Sequence, residues 1–117
     1  MAPADHSQTL MSMRPIAEVT LDVLDQKDGM GLRLYEPQPD GQDWSCTFEI
    51  DAPLSIRIQT TGVSSLQALS LALKGLSAYL YGSTSYREGR IGLYGNFGGD
   101  LSVPATHWLN DVAPFPF

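Results

Sequence analysis

Residues 62–73 read Gly62-Val63-Ser64-Ser65-Leu66-Gln67-Ala68-Leu69-Ser70-Leu71-Ala72-Leu73 and open the one clear helix pattern of the chain. Ser64 and Gln67 stand at the spacing of a capping box, in which the serine oxygen accepts a backbone N–H and the glutamine reaches back. We expect Val63, just before the cap, to pack on Ala68. Beyond the cap, leucines recur every three or four residues and therefore share one helix face. These leucines are Leu66, Leu69, Leu73, Leu76 and Leu80.

Four stretches before the helix alternate apolar and polar residues, which is typical of strands with one buried face. They span residues 16–24, 31–36, 44–51 and 54–59, and a shorter candidate spans 90–94. Short connections favour antiparallel neighbours in chain order, and an apolar sheet face needs a cover. The sequence therefore predicts an α+β fold: a four- to five-stranded antiparallel meander sheet with one long helix packed on its apolar face.

The chain is organised as one domain. Residues 1–14 are polar, lack periodicity and are interpreted as a loose N-terminal tail, and residues 15–117 form a single α+β domain. The end of the chain is apolar and aromatic, which is typical of a docked segment. We predict a core made of Leu21, Val23, Leu34, Phe48, Ile50, Ile56, Ile58, Leu69, Leu73 and Leu76.

The charge balance and the cysteine content limit the kinds of partner and the compartment that we expect for this protein. The 117 residues contain 7 Lys+Arg and 13 Asp+Glu, a formal net charge of −6. An acidic chain is not attracted to phosphate backbones or anionic lipid surfaces, so we expect no nucleic-acid and no membrane partner. Neither a signal peptide nor an apolar stretch of spanning length is visible. The single cysteine, Cys46, lies on the inward face of its strand, which predicts a buried structural thiol in a cytoplasmic protein.

No group of residues has the pattern of a catalytic or metal site. The two histidines, His6 and His107, have no ligand cluster around them. Glu18 and Asp22 share one strand face, where they are interpreted as solvated or as partners of arginines on neighbouring strands. We therefore expect no cofactor, no metal and no enzymatic activity.

Two features favour contact with another molecule. The helix face opposite the leucines includes Leu71 and only one charged residue, Lys74. We predict that this face is partly covered, either by the C-terminal segment or by a second subunit, and that Gly75 allows the close approach of a neighbour. Aromatic residues also gather from the middle of the helix onward, and such side chains serve as interface anchors. The candidate partner or ligand contacts are Tyr79, Tyr86, Tyr94, Phe97, Trp108 and Leu71.

Three short motifs resemble a family of small bacterial domains of unknown function. They are Asp43-Trp44-Ser45-Cys46, the helix start from Gly62 to Leu69, and Asp100-Leu101-Ser102-Val103-Pro104. The resemblance covers residues 16–104. This chain has Ser64 where the family has aspartate, and serine is an equally good cap. The resemblance implies the fold and no activity.

The leading functional hypothesis is a non-enzymatic protein-interaction module of an accessory, adaptor or immunity-like kind, with a protein partner or a homodimer. The alternative is a small-molecule binding domain with an aromatic pocket beside the helix, lined by Tyr79, Tyr86, Tyr94 and Trp108.

Overall fold

Nine elements follow one another in the computed structural model, which describes residues 13–103. The strands are β1 (Pro15–Val23), β2 (Gln26–Tyr35), β3 (Gln38–Asp40), β4 (Asp43–Ile50), β5 (Ile56–Gly62), β6 (Ile91–Leu93) and β7 (Asn96–Phe97). The helices are α1 (Ser65–Tyr81) and the single turn α2 (Thr84–Arg87).

The seven strands form one antiparallel sheet in the order β5-β4-β2-β1-β6-β7. The short β3 pairs with the first residues of β4. It lies on the same side of β4 as β2, which pairs with the last residues of that strand. The predicted α+β class, the meander β1-β2-β4-β5 and the covering helix α1 are confirmed. The short candidate at residues 90–94 is β6. The sheet has two more strands than predicted, β3 and β7, because they are only three and two residues long and alternation cannot show in so few residues.

The β1–β2 hairpin turns earlier than the sequence predicted. Val23 pairs with Gln26, so the turn contains two residues and Asp25 adopts a positive φ of 68°. Gly29, expected in the loop, lies inside β2 with a φ of 73°, where the register shifts opposite Leu21. A Cβ on Gly29 would lie 2.5 Å from the carbonyl oxygen of Leu21. The positive φ of Gly29 is therefore required by a bulge in the β1–β2 pairing and not by the hairpin turn.

The capping box at the start of α1 is confirmed. Ser64 Oγ accepts the Gln67 backbone N–H at 3.1 Å, and Gln67 Oε1 accepts the Val63 N–H at 2.7 Å. The Gln67 N–H, a donor left over at the helix start, is thereby satisfied, and the Gln67 side chain reaches back to the residue before the Ser64 cap.

Two apolar side chains near this cap, Val63 before it and Leu66 of the leucine face, are exposed. Val63 is 76% exposed and Leu66 is 71% exposed, so the predicted contact of Val63 with Ala68 and the inward position of Leu66 are wrong. The chain enters the helix so tightly that a Cβ on Gly62 would lie 2.6 Å from the Ala68 nitrogen. Ala68 is therefore the residue turned to the sheet, and Leu66, two residues earlier and about 200° around the axis, faces away.

The core lies between α1 and the sheet. Among the predicted core residues, those on β1, β2 and β4, together with Leu76, are buried. Ile56, Ile58, Leu69 and Leu73 pack against this core but are only half-buried. The two isoleucines are half-buried because β5 is at the edge of the sheet.

Gly75 was predicted to lie on the helix face opposite the leucines, but it faces the sheet, where its close neighbour is Phe48 of β4. A Cβ on Gly75 would lie 2.8 Å from Cε1 of this fully buried ring. The glycine therefore sets the distance between the helix and the sheet.

The segment after β7 is held against the end of α1 by Tyr81. The Tyr81 hydroxyl donates to the Val103 carbonyl at 2.7 Å and accepts the Leu101 N–H at 3.1 Å. Leu101 is fully buried. Leu101 and Val103 of this segment pack with the core, whereas the predicted cover concerned the opposite face of α1. The predictions for residues 1–12 of the tail and for Trp108 lie outside the described residues.

Candidate interaction surface

The aromatic residues singled out in the sequence lie on separate parts of the molecule. Tyr79 is on α1 with its ring 6.0 Å from that of Phe48, and 47% of it is exposed. Tyr94 is 93% exposed at the turn between β6 and β7, and Phe97 is 37% exposed on β7. Since β2 and β1 separate β4 from β6, these two places are about 14 Å apart. Tyr79 and Tyr94 therefore do not line one pocket.

Tyr86 has a structural position. Its hydroxyl oxygen lies 3.0 Å from the Gly98 carbonyl and 2.9 Å from the Gly99 carbonyl. Its ring meets Tyr81 edge-on, with the centroids 5.0 Å apart. The polar end and one ring edge of Tyr86 are thus used to hold the loop after β7.

A more continuous surface lies at the opposite edge of the sheet, along β5. Within residues 13–103, β5 pairs with β4 alone, so its outer edge has no strand partner there. Its pairing with β4 runs without a shift from Gly62 to Ile56. The strand contains no proline and no lysine, and it has none of the bulges that commonly protect an edge from pairing with another chain.

One flank of α1 lies beside this edge. The helix packs on β4 and β5, and its Leu73 and Leu76 side chains lie towards β1 and β2, with which they line a groove. Leu71 precedes Leu73 by two residues, about 200° around the axis, so it points to the β5 side. Lys74 and Ala78 follow Leu71 at helical spacing and share this flank. The flank carries a single charge.

We define the edge surface as the outer edge of β5 with Val63, Leu71 and Ala78. Val63 is among the most exposed large apolar side chains of the described residues. Leu71 is half-buried and Ala78 is exposed. Unpaired backbone groups thus lie next to apolar side chains, a combination suited to protein contacts.

The open face of the sheet, opposite α1, carries a compact group of charged side chains on β2, β4 and β5. Glu49 accepts hydrogen bonds from Arg33 at 2.9 Å, from Tyr35 at 2.9 Å and from Arg57 at 2.7 Å. Arg33 also pairs with Asp51, and Arg57 lies 5.6 Å from the centre of the Tyr35 ring. The partners of the two arginines are therefore Glu49 and Asp51. Glu18 and Asp22 of β1 are exposed, which is the other alternative that the sequence left open.

These contacts hold the group in its charged form. Partial burial raises the pKa of Glu49, but hydrogen bonds from Arg33 and Tyr35 and the charges of Arg33 and Arg57 more than offset it, so the pKa is below its usual value. The hydrogen bond to Asp51 raises the pKa of Arg33. Across the described part of the chain, no buried side-chain nitrogen or oxygen lacks a partner. Mutual pairing indicates that this group stabilises the sheet.

Cys46 is buried, as predicted. Its thiol donates to the Tyr35 carbonyl at 3.2 Å, and burial raises the pKa of the thiol to about 11. Between Met13 and Val103, no three His, Cys, Asp or Glu side chains are placed to hold a metal ion. The same part of the chain has no helix that is both long and apolar enough to span a bilayer.

Sequence reasoning identified Leu71 of the edge surface but missed β5 and Val63. Alternation shows which residues of a strand face the core, but it does not show where that strand lies in the sheet. Residues 56–62 contain neither lysine nor proline, the residues that commonly protect an edge strand, and this could have drawn attention to β5 as a strand open to pairing.

Comparison with known proteins identifies a family. A family model described as a domain of unknown function (DUF6968) matches residues 17–105. This match confirms the resemblance seen in the three sequence motifs. No curated protein and no solved structure gives a significant match.

Proposed function

The chain belongs to this family of unknown function (DUF6968), and we propose from its surfaces that it is a non-enzymatic protein-interaction module that binds through the edge surface. The observation that supports the proposal is the seven-residue strand β5, whose outer edge is unpaired within residues 13–103 and lies beside apolar side chains. An extended strand can pair with such an edge by main-chain hydrogen bonds, while neighbouring side chains supply specificity.

The partner that best fits this edge is a second copy of the chain. In an antiparallel pair centred on Gln59, the two Gln59 side chains face each other and Arg57 faces Thr61. No like charges are then directly opposed across the new ladder, an arrangement that would otherwise destabilise it. Arg57 is also already paired with Glu49 at 2.7 Å. The strand β5 itself contains no acidic residue.

The position of α1 supports the same partner. A two-fold axis perpendicular to the sheet keeps both helices on one face of the extended sheet. The helix lies over β4 and β5, and neighbouring strands are about 4.8 Å apart. The two helix axes would then be roughly 10 Å apart, close to the 8–10 Å spacing of packed helices. The flank with Leu71 and Ala78 would lie between them, which accounts for its low charge.

Charge and cysteine use support the remaining parts of the proposal. The acidic balance favours protein over nucleic acid as the partner. A single buried free cysteine fits a reducing, cytoplasmic compartment.

The test is sedimentation velocity over a wide range of protein concentrations. We expect a reversible dimer. Leu71→Glu places two carboxylates at the helix contact, and Gln59→Lys places two ammonium groups opposite each other. Each should raise the dimer Kd roughly tenfold or more. Gln26→Lys, the same change as Gln59→Lys at an exposed position far from β5, should leave the Kd unchanged.

A cross-linking experiment checks the register. Gln59→Cys should form a disulfide with its own copy under mild oxidation, because facing Cβ atoms in an antiparallel pair are close enough to bridge. Gln26→Cys is the matched control and should stay reduced. A chain that is monomeric at every concentration, with no Gln59→Cys cross-link, would refute the proposed self-association.

A further inference from the structure

A second apolar surface, separate from the edge surface, is a groove between α1 and the first two strands. Its volume is about 240 Å³. Ala17 and Val19 of β1, Leu32 and Leu34 of β2, and Leu73 and Leu76 of α1 line it. Because α1 packs on β4 and β5, the apolar face of β1 and β2 receives less cover from the helix than the rest of the sheet.

The size and lining of the groove favour peptide side chains over a free small molecule. Pockets for drug-sized ligands usually occupy roughly 300–1,000 Å³ and contain a few converging polar groups. This groove is smaller, and although Glu18, Arg33 and Ser102 also line it, most of its surface is apolar. It matches one or two large apolar side chains of a peptide.

The described part of the chain ends at the wall of this groove. Val103 is one of the groove residues and is only 6% exposed. Its carbonyl is held by the Tyr81 hydroxyl at 2.7 Å, so the direction of the backbone is fixed up to that point. Pro104 follows immediately. The described part of the chain therefore ends at the groove, with no linker between its last residue and the groove wall.

The following segment has the matching chemistry. Residues 104–117 contain one acidic residue, Asp111, and no lysine or arginine. Trp108 is the first large apolar residue after Val103, five positions on, and an extended chain of that length spans about 17 Å. Such a short tether also gives the segment an effective concentration in the millimolar range, well above that of a separate chain.

We propose that residues 104–117 dock back onto their own molecule and occupy this groove, with Trp108 as the anchor. The segment covers β1 and β2 as α1 covers β4 and β5. The apolar face of the sheet is then covered by two segments, the helix α1 and residues 104–117. This inference is independent of the proposed pairing through β5.

The experiment uses the fluorescence of Trp108 in the full chain. Trp44→Phe removes the other tryptophan, so that emission reports on Trp108 alone. We expect blue-shifted emission and a severalfold lower acrylamide quenching constant than in urea, independent of protein concentration. Quenching as strong as in urea would overturn the proposal. Protection that grows with concentration would also overturn it, because the groove of a second copy would then be filled.

Variants that fill the groove test whether the protection of Trp108 from acrylamide depends on this groove. Ala17→Phe adds a ring at an exposed position of the groove and should expose Trp108, with a red-shifted emission and restored quenching. Thr20→Phe, at an exposed position on the opposite face of β1, is the matched control and should leave Trp108 protected. Circular dichroism checks that each variant is folded, and Val19→Phe serves if Ala17→Phe is not. Protection that persists in a folded groove-filling variant would refute the assignment.

Discussion

Replacing Gly75 by alanine tests how closely α1 approaches the sheet. The added methyl group would lie 2.8 Å from Cε1 and 3.2 Å from Cζ of Phe48. The Phe48 ring is fully buried and also packs against Tyr79. Neither the ring nor the helix backbone can move aside without disturbing other core contacts.

Two opposing effects determine how much Gly75→Ala changes the free energy of unfolding. Alanine is favoured over glycine in a helix interior by about 1 kcal/mol, whereas overpacking a well-filled core costs about 1–3 kcal/mol. We therefore expect Gly75→Ala to lower the free energy of unfolding by about 0–2 kcal/mol. In a Phe48→Leu chain the obstructing ring atoms are gone. The same Gly75→Ala change should then raise the free energy of unfolding by up to about 1 kcal/mol.

The assay is urea unfolding followed by far-ultraviolet circular dichroism on the four proteins of this double-mutant cycle, at one protein concentration. The expected coupling between the two positions is about 1–3 kcal/mol, with the denaturant slope unchanged. A Gly75→Ala effect of the same sign and size in both backgrounds would refute the contact between Gly75 and Phe48. Stabilisation of the native chain by about 1 kcal/mol would refute the overpacking argument.

Three further predictions follow from single contacts. Ser64→Ala removes the acceptor of the Gln67 N–H and should lower the free energy of unfolding by about 1 kcal/mol in urea; an unchanged midpoint would contradict the cap. Because the pKa of Glu49 is lower in the folded chain than its ordinary value of 4.5, its ionised form stabilises the fold at pH values above 4.5. This stabilisation is lost as the pH falls through the pKa of the folded chain. The Tm should therefore fall less on acidification in Glu49→Gln than in the native chain, and parallel curves would contradict this linkage. Cys46, with a thiol pKa of about 11, should react with a thiol reagent at neutral pH only after denaturation; labelling of the native protein at the rate of a free thiol would contradict its burial.

The main strands and the helix were predictable because their signals are local. Trp44, Cys46, Phe48 and Ile50 alternate with polar residues along β4 and face the helix, as expected. Burial of Cys46 followed from the same alternation. The β1–β2 turn was misplaced because Gly29 has a positive φ within a bulge, and the Asp-Gly pair resembles a hairpin turn when read alone.

The candidate site was only partly predictable. The low charge around Leu71 was visible in the sequence, and the structure places this flank beside the β5 edge. The tyrosines were grouped because they are close in sequence. Yet Tyr79 packs on Phe48, and Tyr86 holds the loop after β7.

The sequence by itself determined the capping box, the alternating strands, the class of the fold and the family. Each of these depends on residues a few positions apart, whose spacing directly reflects strand or helix geometry. Tertiary structure alone decided that β5 lies at an edge, that Leu66 faces outward and that Gly75 meets Phe48. These features depend on contacts between parts of the chain that are distant in sequence, such as the approach of Gly75 on α1 to the Phe48 ring on β4. Periodicity shows which face of an element is buried, but the packing of all elements together decides which neighbour it meets.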